Sequence, residues 1–432
     1  MTKRMVIFVV GVLLVAAGLS LAQNNEPAQV NQNDSIWQRD TLTGHWFGLT
    51  DGLTEQGIDI ATSVTQIYQQ NTNGGISTHR RAGRYSGSYD VELEADLEKL
   101  FGVTGGRLYM LTEGKWSKSA GINDPAVGSY FNVNGDGAPP RAIDVTELWY
   151  EQNFADREIR LRAGKIDLTC GFEHHNFPVS FDCSNYANDE RSQFLNGALI
   201  NNPTIPFPEN GLGAALHYGP DAFWYASAAV ADARADLRET GFDTTFDGDD
   251  YFFYIAETGI TPLLGSTNGA LPGAYRVGFW YDPQPKANTD FAEEGKSYRN
   301  DVGFYLTCDQ MIVKENTDAE DSQGLGSFFR YGNANGKRND ITNFWSTGFQ
   351  YQGFLEDRDD DVLGVGFAHG TFSDSAATTY TDDYESAIEI YYSAQITKWL
   401  VISPDFQYVT NPGGDKDIPN ATVIGARIQM TF

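Results

Sequence analysis

Two neighbouring stretches of this 432-residue chain carry charges in a pattern that can do chemistry. In 144–154, Glu147, Trp149 and Glu151 alternate with Leu148 and Tyr150. In 157–167, Arg160 and Arg162 alternate with Ile159, Leu161 and Ala163. A period of two puts alternate side chains on opposite faces of a strand. Joined by a tight turn at Ala155 and Asp156, the two strands bring Glu147 and Arg160/Arg162 together on one face. An arginine fork beside a carboxylate offers fixed donors and acceptors to a hydroxylated solute without holding it tightly. The competing reading is that these charges only solvate a wetted wall. Lys165, Asp167, Arg276, Trp280, Arg330, Glu389 and Arg427 join the candidates.

Other chemistry has less footing. No GxSxG, HExxH or P-loop pattern occurs, so no catalytic residue is nominated. "NVNGDG" (Asn132 to Gly137) matches the first half of a calcium loop, but Ile143 stands where the bidentate Glu belongs, and the stretch reads as a loop turn. His174 and His175 lack partners at metal spacing, so neither a metal nor a cofactor is expected.

The elements that would position these charges are strands. Sixteen alternating segments run roughly over 58–71, 86–101, 106–117, 144–154, 157–167, 211–219, 222–233, 252–263, 273–283, 300–313, 324–332, 342–354, 361–372, 385–397, 400–411 and 421–432. In the second, Asp90, Glu92, Glu94, Asp96 and Glu98 share one side, with Tyr89, Val91, Leu93, Ala95 and Leu97 on the other. Five acids on one face cannot enter a dry core, so that face meets water while the other meets apolar material. Connections alternate short and long, as in a barrel with turns at one membrane surface and loops at the other. The acidic 314–323 and "EDRDDD" (Glu356 to Asp361) are longer exceptions on the short side. Phe328, Phe329, Tyr331, Trp345, Tyr351, Tyr391, Tyr392, Trp399, Phe406 and Tyr408 cluster near strand ends, like interfacial girdles. A β-sandwich would also use aromatics, but an even strand count closes a barrel and leaves no edge unpaired in lipid. The expected fold is all-β, a sixteen-stranded antiparallel transmembrane barrel. The terminal "ATVIGARIQMTF" is its last strand, with Ile424, Ile428, Met430 and Phe432 toward lipid and Arg427 and Gln429 toward water.

Bulk properties agree. With 30 Lys+Arg against 58 Asp+Glu, the formal charge of −28 argues against a nucleic-acid partner. Aromatics make up 13%, and there are 45 glycines. Lys3 and Arg4, an apolar run and small residues up to Ala22 read as an export signal over 1–22, with a membrane-anchor helix as the alternative. A flexible polar leader follows over 23–40, and 41–432 forms the barrel domain. In an exported chain Cys170 and Cys183, close together in a loop, are expected to bridge, leaving Cys308 free. The longest loop, 168–210, is stiffened by prolines and is the candidate constriction.

At this point the residues resemble a known family. "LTGHWFGLTDGLTEQGIDI", "YQQNTNGG", "ELWYEQ", "IRLRAGKID", "FLNGALINNPTIPFPENGLGAAL", "DVGFYLTCDQMI", "LGSFFRYG" and "KWLVISPDFQYVTNPGG" are similar, in order and spacing, to carbohydrate-selective outer-membrane porins of the OprB type. The resemblance covers about residues 41 to 432. His45 and Phe47 stand where the family usually has an acid and a second glycine. It implies a barrel passing monosaccharides, a short N-terminal helix near the periplasmic mouth, and the acid–arginine cluster near the eyelet. Residues 43–55 agree with a helix carrying Trp46, Leu49 and Leu53 on one face. The function expected is passive, carbohydrate-selective diffusion into the periplasm, with a general or cation-preferring pore as the alternative. Expected partners are monosaccharides or small oligosaccharides, outer-membrane lipid and the outer-membrane assembly machinery, as a monomer or homotrimer.

Overall fold

The computed structural model describes residues 35–432 apart from 80–81, 118–119, 176, 190, 237–244, 247–249, 288–296, 319–320 and 377–378. The expected export signal and the leader up to residue 34 lie outside the described residues.

Sixteen strands form the wall. They begin with β1 (Ile58–Asn73), β2 (Gly83–Asp96), β3 (Gly106–Ser117), β4 (Arg141–Phe154) and β5 (Ile159–Ile166). Next come β6 (Gly211–Tyr218), β7 (Trp224–Asp232), β8 (Phe252–Ile260), β9 (Gly269–Asp282) and β10 (Asp301–Lys314). The circuit ends with β11 (Gly324–Ala334), β12 (Ile341–Gln352), β13 (Val362–Phe372), β14 (Tyr384–Thr397), β15 (Leu400–Thr410) and β16 (Ala421–Thr431). Each pairs antiparallel with its sequence neighbours, and β1 pairs with both β2 and β16. Ser63 opposite Thr431 opens that closing register. With both edges joined, every wall strand has two partners, which is what a lipid solvent demands.

The alternation read from sequence sets the two faces. On β16 Val423 and Arg427 are buried inside, while Ile424 and Ile428 stand exposed outside. Across β9 to β12, Arg276, Thr307, Arg330 and Ser346 lie in register, all buried on the inner face. Two expectations change here. The acidic strand stops at Asp96, whose carboxylate caps a short helix, α2 (Leu97–Phe101), by accepting from the Glu98 and Lys99 N–H groups; Gly102 at φ +71° ends it. The five acids therefore do not share one strand face. Phe328 and Tyr391, expected in the girdles, point inward instead and are almost fully buried beneath the long loop.

The N-terminal helix α1 (Gly44–Glu55) lies along the short-turn rim. Leu53 packs with Ile58, Leu93 and Ala95 and is joined by Leu97, Leu100, Leu108 and Met110. Asp90, Glu92 and Glu94 line the lumen side, so Leu93 and Ala95 point outward and this cluster sits on the outer wall. Of the three apolar residues expected to share one face, Leu53 is buried while Trp46 and Leu49 are exposed. Just before α1, Trp37 lies 6.4 Å from Trp399, whose Nε1 donates to the Ile36 carbonyl.

Candidate functional site

The barrel interior is filled from one end by the connection between β5 and β6, residues 167–210. Its first part folds as a hairpin, Phe172–His174 against Phe177–Val179. The expected Cys170–Cys183 bridge closes around it, with a Cα–Cα distance of 4.7 Å. Backbone groups turned into a barrel need partners, and buried side chains of distant strands supply them. Glu257 on β8 accepts from the Ser180 and Phe181 N–H groups at 2.9 Å each, and from Tyr305 Oη at 2.7 Å. Arg276 on β9 donates to the Cys183 and Pro178 carbonyls at 2.9 Å each while paired to Asp309 at 2.8 Å. Arg330 on β11 donates to the Leu199 carbonyl at 2.6 Å and also to the Ala187 carbonyl and the Asn188 side chain. Glu389 on β14 accepts from the Leu195 and Asn196 N–H groups at 2.6 and 2.7 Å.

A second connection, between β3 and β4, is tied the same way. Glu385 accepts from Ser129 Oγ and the Tyr130 and Phe131 N–H groups, and Gln69 and Gln407 both donate to the Val133 carbonyl. Loop segments are thus anchored to the inner faces of β8, β9, β11, β14 and β15, and also to Gln69 of β1. A cavity of about 840 Å³ remains against β9 to β13, lined by Tyr186, Met311, Gly326, Gln350 and Gln352 among others; further open space lies against β1 to β5.

Two cavities occupy that side and share Tyr109. One, of about 420 Å³, is lined by Arg107, Glu147, Glu151, Arg160, Arg162 and Asp167 among others. The other, of about 550 Å³, is bounded by Glu92, Glu94, Asp189 and Arg191, with Thr41, His45 and Phe432 at the rim. Alternating charge runs through both. Arg191 reaches from the loop to Asp90 at 3.0 Å. Arg107 donates to both Glu94 oxygens and to Glu151, each at 3.2 Å. Arg162 holds Glu151 through Nε and Nη2 at 3.2 and 2.9 Å. Beside this ladder Tyr109 stacks on Trp149 with centroids 4.8 Å apart, and the Arg162 guanidinium lies over the Trp149 ring at 3.9 Å from its centroid. Outside the strands, burial pushes the Asp167 carboxyl above its ordinary range.

Of the residues nominated from sequence, Glu147, Arg160, Arg162 and Asp167 therefore come together in one cavity. The partner within the pair differs: Arg162 binds Glu151, directly opposite in the β4–β5 register, while Glu147 accepts from Trp149 Nε1 at 2.9 Å. Lys165 is buried to 2% exposure. Trp280, Arg330 and Arg427 share the inner parity but are equally buried, Trp280 in the apolar cluster under the loop and Arg330 as its anchor. Parity identifies the face of a residue and not what lies over it. Arg107, Tyr109, Glu92 and Glu94 were missed as site residues, although their period-two positions next to 144–154 carried the signal. Arg191, on a loop, carried none.

A family model described as carbohydrate-selective porin, OprB family, matches residues 80–432. Porin B of Pseudomonas aeruginosa is 25% identical across 98% of this chain and 97% of its own. The putative porin QuiX of Acinetobacter baylyi is 22% identical across 94% and 96% respectively. The high-pH structure of Pseudomonas putida OprB superposes with a TM-score of 0.78 at 19% identity, covering 92% of this chain and 100% of that one, a likeness of fold.

Proposed function

Because the chain belongs to the OprB family of carbohydrate-selective porins, we propose that sugars cross the barrel along β1 to β5, through the two cavities that meet at Tyr109. The protein is an outer-membrane porin, a channel rather than an enzyme. The observation that carries the route is the paired ladder Arg191–Asp90, Glu94–Arg107–Glu151–Arg162 beside the Tyr109–Trp149 stack. Sugar hydroxyls exchange hydrogen bonds with fixed forks and carboxylates, and the flat C–H face of a pyranose lies against aromatic rings. Each charge already has a protein partner, so a passing sugar is held weakly and leaves readily.

The test is ion-current block in a planar bilayer. Glucose and related sugars at millimolar concentration reduce the current, and Tyr109→Ala weakens the block. Current indifferent to a panel of sugars would instead favour a general, cation-preferring pore, the reading that the charge of −28 supports.

A further inference from the structure

A groove of about 580 Å³ lies outside the barrel, between α1 and the outer wall of β1 and β2. Trp46, Phe47 and Leu49 form one side, Val64 and Val91 the other, and Phe432 lies at the end. Ser63 and Asp90 also border the groove, but its apolar wall, Val64 and Val91, stands on the parity opposite to the lumen-lining Glu92 and Glu94, and on this parity the groove opens onto the face that meets lipid. Its apolar side chains are uncovered: Phe47 is 78% exposed, Leu49 50% and Trp46 45%.

The backbone that presents them is strained. His45, Trp46 and Phe47 take φ of +56°, +51° and +60°, followed by Gly48 at +82°. A left-handed L-residue costs about 1–2 kcal/mol. Three in succession, ending on an aromatic ring turned away from the protein, are poorly compensated in water. The polar groups are satisfied nonetheless. Thr41 and Thr43 side chains accept from the His45 and Trp46 N–H groups at 2.8 and 3.1 Å, and Trp46 Nε1 donates to Thr62 Oγ1 at 3.1 Å. On the opposite side of the same helix His45, Thr50 and Thr54 border the lumen cavity. α1 is thus wet on one side and apolar on the other, astride the rim.

We propose that this groove seats an acyl chain of an inner-leaflet phospholipid, which clips α1 to the barrel rim. Continuity with the lipid-facing wall supports lipid as the occupant, and an apolar phase also removes the cost of exposing Phe47 and Leu49. The inference rests on the outer wall meeting lipid and is independent of which solute crosses the lumen.

The full-length protein tests it in vesicles. In a Cys308→Ala background, with Cys170 and Cys183 bridged, Phe47→Cys is labelled with an environment-sensitive fluorophore. Its emission falls about twofold when the acyl chains are brominated and is nearly insensitive to aqueous iodide. A label at Thr54→Cys shows the reverse. Quenching of the residue-47 label by iodide alone places it in water and overturns the proposal. Protection from both quenchers means that protein fills the groove, either a second copy or the chain's own residues 1–34, and overturns it as well. If Phe47→Cys does not fold, Leu49→Cys gives the same reading.

Discussion

Arg162 is held on two sides, by two bonds to the buried Glu151 and by the face of Trp149. Replacing it with alanine removes a charged donor from the proposed path, worth about 1.5–3 kcal/mol, so sugar block should weaken about tenfold or more. Arg162→Lys keeps the charge but not the fork and should recover little of the block. Concentration–block curves for both variants check this; equal half-blocking concentrations would remove Arg162 from the path. The pairing itself was only half legible. Alternation put the acids and arginines on one face, yet the choice of Glu151 over Glu147 depends on register. That register is set by the connection Ala155–Glu158, with Phe154 opposite Ile159, which is longer than the two-residue turn read from sequence.

At the scale of the element, the loop between β5 and β6 narrows the lumen because far strands hold it. Its prolines and the Cys170–Cys183 pair were visible as sequence. Its anchors were not, since Glu257, Arg276, Arg330 and Glu389 lie roughly 70 to 200 residues away and only barrel closure brings them near. Cys170→Ser/Cys183→Ser removes a 13-residue closure, worth about 3 kcal/mol in the chain-entropy model. Melting of the detergent-solubilised barrel should drop, and single-channel noise should rise while conduction persists. Unchanged melting and noise would show that the wall anchors alone suffice.

The hairpin inside that loop should also respond to acid. Burial first, then His175 and Arg160, holds the His174 imidazole down at about 4 against its ordinary 6.5, with Asp221 opposing. Between those values the unfolded chain binds more proton than the folded one, so hairpin stability is full above pH 6.5 and falls as pH drops toward 4. Current noise recorded from pH 7 down to 4.5 should therefore increase, and His174→Gln should flatten the response.

At the scale of the whole molecule, closure joins β16 to β1, and the last residue takes part: the Phe432 N–H donates to the Thr62 carbonyl at 3.0 Å. Deleting Phe432 should lower the yield of inserted barrel several-fold while leaving the conductance of inserted molecules unchanged, as read by heat-modifiability on gels and by bilayer recording. The charge of −28 should make the pore pass small cations more readily than anions, checked by reversal potential across a salt gradient.

Class, strand number, most inner and outer faces, the bridge and the family resemblance were legible in the sequence alone, because alternation and turn chemistry are local properties of the chain; Phe328 and Tyr391, read as girdle residues, were not. Only the tertiary structure decided which inner-facing charges line the lumen and which are consumed in holding loops. Arg162 and Arg330 share the same pattern in sequence, yet one faces a cavity and the other is fully buried. The reason is that a strand specifies a side chain's direction, while its environment is set by segments that arrive from elsewhere in the closed barrel. The same holds for α1, whose apolar face was legible but whose place astride the rim, half in the vestibule and half on the outer wall, depends on packing against strands that fold around it.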